Sequence, residues 1–148
     1  MPNFIVFNSE SDLTAFKSYH LARIDGAQSA TLKDFFAQIE KELQLPDYFS
    51  HNLDSLDELL NDLERKKKPD VALVVSRFEQ FLANEKKKTK LLDLLGLLDA
   101  TAEDWKWLDE EDGLPKKNLK ILLQNSPQTI GTLESEGIGY EVINSILE

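Results

Sequence analysis

"TLKDFFAQIEKELQLPDYFSHNLDSLDELLNDL", residues 31 to 63, reads as two amphipathic helices broken by a proline. In the first, Leu32, Phe35, Phe36, Ile39 and Leu43 fall on one face of a 3.6-residue period. Thr31 with Asp34 has the form of a capping box, in which side chain and backbone satisfy each other at the first turn. Pro46 stops this helix, "DYFSH" (47–51) is a loop, and a second helix starts near Asn52 and Leu53. Leu53, Leu56, Leu59, Leu60 and Leu63 share one arc of that helix. Asp54, Asp57, Glu58, Asn61 and Asp62 share the opposite arc. Two helices with one apolar stripe each need a common surface to bury those stripes against.

The flanking sequence supplies that surface. "YHLARIDGAQ" (19–28) alternates and ends in a Gly turn, so 20–24 reads as a strand. "VALVV" (71–75) is continuously apolar and β-branched, the pattern of a strand buried on both faces. "KKTKLLDLLGLLDA" (87–100) is helical, and "NLKILLQ" (118–124) is a third strand after a turn at "EDGLPKKN". The order strand–helix–helix–strand–helix–strand predicts an α/β fold, a small three-stranded parallel sheet flanked by helices. Its core is expected to contain Phe35, Phe36, Ile39, Leu53, Leu56, Leu60, Val71, Leu73 and Val75. This unit covers 19–126. Residues 1–18 (a short strand at 4–7, a short helix at 9–17) and 127–148 (a helical pattern in "YEVINSIL", 140–147) are additions to one domain of 148 residues. Long loops are expected at 77–86 and 101–117.

With 27 acids against 17 bases, the net charge is −10. Phosphate binding needs clustered Lys and Arg, so nucleic acid is disfavoured as a direct ligand, and an anionic membrane surface with it. A basic protein partner would be attracted, and its approach accelerated. The absence of cysteine excludes disulfides, thiol catalysis and thiolate metal sites. "MPNFIVFNSESD" lacks the basic start and long apolar run of a signal peptide, and no apolar run reaches membrane-spanning length. The expected location is the cytoplasm, and the free protein is expected to be a monomer. The Lys runs at 66–68 and 86–88 read as solvated ends.

The polar arc of the second helix is unusual in sign. Residues 45–64 carry six acids (Asp47, Asp54, Asp57, Glu58, Asp62 and Glu64) and no Lys or Arg. Surface helices normally mix signs, because Glu–Lys pairs at i,i+4 help and like pairs hurt by a few tenths of a kcal/mol. Here Asp54–Asp57, Asp54–Glu58 and Glu58–Asp62 are all like-charged neighbours, and only Asp54 lies in the first turn, where the helix dipole favours an anion. The pattern points to a surface that meets cations. An enzymatic reading would use His51 with Asp54 or Glu58 as acid and base, or as metal ligands. The chain has only two histidines, His20 and His51, and no HExxH, P-loop, GxGxxG or GxSxG motif. No catalysis, metal or cofactor is therefore expected.

The same residues resemble the barstar family, intracellular inhibitors of guanyl-preferring ribonucleases. The resemblance begins near "HLARIDGAQ", is dense from 31 to 63, continues through "VALVVSRFEQF" (71–81), and fits a closing strand at "NLKILLQNS" (118–126). It implies that the loop and acidic helix plug a ribonuclease active site, with helix carboxylates meeting the Arg, Lys and His groups that would hold RNA phosphate. On that resemblance Tyr48 matches the loop tyrosine, Asn52 the Asn at the helix start, Asp54 the first key carboxylate and Glu58 the main one. His51, Asp57 and Asp62 extend the surface. The chain departs from the type member at Glu58 (Asp there), Asp57 (Trp), Ser50 (Gly) and His51 (Glu), which bears on partner identity more than on fold. The implied partner is a basic ribonuclease, bound one to one. The alternative is an acidic immunity or interaction module that neutralises a non-ribonuclease toxin or other basic protein, and a further one is nucleic-acid mimicry towards a DNA-binding protein.

"TAEDWKWLDEEDG" (101–113) carries further acids. Glu103, Asp104, Asp109 and Glu110 are candidates for the family's additional interface acid. Trp105 and Trp107 are expected to cover an edge of the core, with an exposed contact surface as the alternative.

Overall fold

Val71–Ser76, the continuous apolar run, is an interior strand of a parallel sheet. The computed structural model describes residues 2–46, 49–63, 70–85, 87, 89–106 and 118–143, and for 61–63 and 106 the backbone alone. The strands are β1 (Phe4–Phe7), β2 (His20–Asp25), β3 (Val71–Ser76), β4 (Leu119–Gln124) and β5 (Tyr140–Val142). The α-helices are α1 (Leu32–Glu42), α2 (Leu53–Leu63), α3 (Thr89–Lys106) and α4 (Pro127–Ser135). All neighbouring strands pair in parallel, in the order β2-β3-β4-β1-β5.

The handedness of crossovers explains where the layers lie. A parallel crossover is almost always right-handed, so reversing the direction of travel across the sheet moves the connection to the other face. From β2 through β3 and β4 to β5 the chain travels one way. Its helices α1 to α4 lie on one face, and Phe35, Ile39, Leu56, Leu60, Leu94 and Leu133 pack there with Phe4, Leu73 and Ile121. From β1 to β2 the chain travels back, and this connection, a 3-10 helix at Glu10–Phe16, covers the opposite face. Leu13 and Phe16 bury Ile5, Phe7, Ala72, Val74 and Leu122. Alternate residues of β3 thus enter two different cores, as its unbroken apolar sequence requires.

The three-stranded expectation is corrected to a five-stranded sheet. β1 pairs Phe4 with Ile121 of β4, and β5 pairs Tyr140 with Phe4, so both terminal additions extend the sheet. The helical reading of 140–147 fails over 140–143. An adjacent parallel strand offers ladder bonds, such as Ile143 N–H to Val6 O at 2.8 Å, that outweigh a short apolar spacing; 144–148 lie outside the described residues. A further helix, α4, follows β4 where none is expected, because Ile130 and Leu133 are its only large apolar residues; Ser126 and Pro127 form its start, with the Ser126 hydroxyl accepting from Thr129 N–H. Two expected loops are in part ordered structure. α3 continues to Lys106, and 77–85 contains a 3-10 turn, Phe78–Gln80, and turns at 81–84 bonded to 29–30 through Leu82 N–H to Ser29 O and Asn84 N–H to Ala30 O. Residues 107–117, including Trp107, Asp109 and Glu110, lie outside the described residues.

The core expected from periodicity is buried, except that Leu53 is only half-buried at the start of α2. Trp105 is fully enclosed. β2 is an edge strand, and α1 guards it: Glu42 accepts from Arg23 N–H at 2.7 Å and Gln38 from Asp25 N–H at 3.1 Å. At the end of β2 the backbone of Gly26 lies against that of β3. A Cβ there would overlap the carbonyl oxygens of Ser76 and Arg77. Leu56→Ala is expected to lower unfolding free energy by about 2–5 kcal/mol in denaturant titration. Unchanged stability would mean that the α2 face is assigned wrongly. Gly26→Ala is expected to destabilise by about 1–3 kcal/mol, since two backbones must separate to admit one methyl.

Candidate protein-binding site

The segment between α1 and α2 is held from below. Phe49 is buried and its ring meets Phe36 edge-on at 5.8 Å. His51 has a left-handed backbone, φ 52°, which turns the chain into α2. Its ring lies 4.9 Å from that of Phe49, and its Nε2 sits 2.8 Å from Glu40 Oε2 on α1. Asn52 then caps α2, its Oδ1 accepting from Ser55 N–H at 2.7 Å. Ser55 returns the bond one turn earlier, its hydroxyl accepting from Ser50 N–H at 3.0 Å. Loop and helix start are therefore one hydrogen-bonded unit.

The orientation of α2 follows from its leucines. Leu56, Leu59 and Leu60 are buried against the sheet and its neighbouring helices, which leaves Asp54, Asp57 and Glu58 exposed. The described ion pairs Arg23–Glu10 and Arg77–Asp25, and the His51–Glu40 contact, do not involve Asp54 or Glu58. Asp54 and Glu58 are thus like charges held in water, where each keeps its hydration until something covers it.

Of the residues singled out in the sequence, His51, Asn52, Asp54, Asp57 and Glu58 come together on this loop and helix. Two of them act first within the protein: Asn52 caps α2, and His51 ties the loop to α1. Tyr48 lies outside the described residues, as does the side chain of Asp62. Glu103 lies towards the far end of α3, where Asn3 Nδ2 donates to its Oε1 at 2.9 Å and to Asp99 Oδ1 at 2.8 Å. It anchors the β1 end to α3. Asp104 on the same turn is exposed.

Sequence reasoning missed the setting of the site. A groove of about 450 Å³ runs beside the start of α2, lined by Leu32, Phe36, His51, Leu53 and Asp54, with Lys90 of α3 as its third wall. Nothing in local spacing links residue 90 to residue 54; only the packing of α3 beside α2 does. Among the described residues no group of three or more His, Cys, Asp or Glu could hold a metal, and no helix is long and apolar enough to cross a membrane.

Comparison with known proteins divides by length of match. No curated protein sequence matches the chain. Solved structures of similar fold include an ORC2 protein of Aeropyrum pernix in ADPNP–ADP complexes, with a TM-score of 0.59 and 15% identity over 95% of this chain and 40% of that one. Another is Drosophila ORC bound to AT-rich DNA and Cdc6, at 0.52 and 15% over 97% and 51%. The chain spans about half the length of these proteins or less, and at such identities the likeness is one of fold alone. The family model for Barstar (barnase inhibitor) matches residues 19–131, from the start of β2 into α4, and so includes the loop and the acidic helix. With most of its length inside that match, this chain belongs to the barstar family.

Proposed function

We propose that this chain inhibits a basic ribonuclease by seating the loop before α2 and the exposed face of α2 in the enzyme's active site. The observation that carries the reading is the carboxylate face itself. Asp54, Asp57 and Glu58 project from a helix whose start is fixed by Asn52 and whose other face is locked in the core. Such a face can stand where the phosphates of RNA would stand, and meet the same cations. A rigid face also loses little conformational entropy on binding. In this reading Tyr48 packs on the enzyme's catalytic groups, Asp54 and Glu58 pair with its phosphate-binding cations, and Asp62 steers the approach. The protein acts one to one, without catalysis, metal or cofactor.

The departures at Ser50, His51, Asp57 and Glu58 favour a second reading in one respect. Four changes in so small a surface alter its shape and reach, so the basic partner could be a toxin of another activity. Nucleotide binding, as in the ADPNP–ADP complexes of the Aeropyrum pernix ORC2 protein, finds no support at the turn after β1. The sequence there is "NSESD", without a phosphate-binding loop. The buried Asp12 carboxylate already accepts from Asn8 N–H at 2.7 Å and Ser9 N–H at 3.1 Å.

The test is inhibition of a panel of purified guanyl-preferring ribonucleases. Asp54→Ala and Glu58→Ala are each expected to weaken binding by about 2–5 kcal/mol, mainly through faster dissociation, because a desolvated cation of the enzyme is left unpaired. Inhibition that survived the double substitution would sink the mechanism. Failure to inhibit any ribonuclease would promote the second reading. Asn52→Ala is expected to cost about 1 kcal/mol of stability in the free protein, through loss of the helix cap. Asp54→Ala and Glu58→Ala should leave stability unchanged or slightly raised, which thermal melts will separate.

A further inference from the structure

The groove beside Asp54 continues past Lys90 into a second hollow of about 400 Å³, lined by Asn84, Glu85, Lys87 and Lys90. Its two ends differ in charge. Asp54 forms one wall, Lys90 and Lys87 the other, with half-buried Leu32 and Leu53 and the buried Phe36 between them. Glu85 also lines the second hollow, with its Oε2 engaged at the start of α1, where it accepts from Leu32 N–H at 2.7 Å. Neither lysine takes part in a described ion pair.

The placement of Lys90 works against its own helix. α3 begins at Thr89 and has no acid in its first turn; it has Lys90 there instead. The positive end of a helix dipole disfavours a cation by about 0.3–1 kcal/mol. α2 tolerates repulsion among carboxylates, and α3, across the same groove, tolerates a misplaced lysine. Both adverse placements face one space.

We propose that this groove is the specificity half of the interface and takes a partner loop that carries a cation and a carboxylate side by side, the cation meeting Asp54 and the carboxylate meeting Lys87 and Lys90. The proposal rests on the reading of α2 as the partner-binding helix. It adds that the partner is recognised by both signs of charge, with the apolar stem of its loop lying over Leu32 and Leu53. A uniformly basic protein would meet repulsion at Lys90 and bind less well, which is how an acidic surface can reject basic proteins that are not its target.

Two experiments test this, one of them independent of any nuclease. The labelled protein is titrated, with backbone amide shifts as the readout, against a peptide of alternating Arg and Asp, a poly-Arg peptide of equal length, and a short RNA oligonucleotide. The mixed peptide is expected to move the amides of Leu53, Asp54 and Lys90 together and to bind more tightly than poly-Arg. Poly-Arg binding as well as the mixed peptide, or RNA shifting Lys87 and Lys90, would overturn the proposal while leaving the role of α2 intact. The second experiment uses whichever ribonuclease the wild type inhibits, with the double variant Lys87→Glu, Lys90→Glu. Bulk electrostatics expects tighter binding, since a basic enzyme meets a more acidic protein. The groove expects at least a tenfold loss of affinity with a melting temperature that is unchanged or raised, since Glu suits the start of α3 better than Lys. Equal or tighter binding refutes the groove, whereas insensitivity to Asp54→Ala refutes the inhibitory reading itself.

Discussion

The rest of the structure depends on one constraint: β3 and β4 are buried on both faces, and their side chains are apolar except for Lys120 and the terminal Ser76 and Gln124, so both faces must be covered. Helices α1 to α4 cover only one. The second face, formed by Ile5, Phe7, Ala72, Val74 and Leu122, is closed by Leu13 and Phe16 from the connection that follows β1. The N-terminal segment is therefore part of the solution to burial. β1 adds a strand beside β4, and its connection doubles back over the sheet. Asn3 fastens the other end of β1 to Asp99 and Glu103 of α3. α1 and α3 run opposite to the strands: Glu42 at the end of α1 bonds His20 at the start of β2, and Asp99 and Glu103 of α3 bond Asn3 just before β1. Their first turns, at Leu32 and Lys90, therefore lie towards the carboxyl ends of the strands, and the groove forms between them and the start of α2.

The central unit was legible in the sequence because its signals are local. The spacing of Leu32, Phe35, Phe36 and Ile39 fixes α1, that of Leu53, Leu56 and Leu60 fixes α2, and the unbroken run at 71–75 marks an interior strand. The capping pair of Thr31 with Asp34 sets the start of α1, and Pro46 separates it from the helix that begins near Asn52. What failed was non-local. Tyr140–Val142 is only three residues long, and becomes a strand because β1 lies beside it. The terminal additions could be read as elements, but their joining the sheet depends on pairings more than a hundred residues apart, such as Phe4 with Ile121. The acidic surface was legible as a charge pattern on one helix, whereas Lys90 across the groove was not.

The acidic helix shows how function is written against stability. A helix selected only for solubility would place lysines among Asp54, Asp57 and Glu58, and would keep lysine out of the first turn of α3. Leucines on the buried side of α2 supply several kcal/mol each, which absorbs a few tenths per like-charged pair. The fold can carry an unfavourable surface because its core is continuous and its helix starts are capped.

Competition for the active site tests the central claim most directly. A ribonuclease that the chain inhibits is titrated with it by calorimetry, with and without saturating guanosine 3′-phosphate, which occupies the phosphate-binding cations. Occlusion by the α2 carboxylates requires mutual exclusion, so apparent affinity should fall in proportion to the nucleotide bound. Unchanged affinity, with a ternary complex of nuclease, nucleotide and inhibitor, would contradict the account.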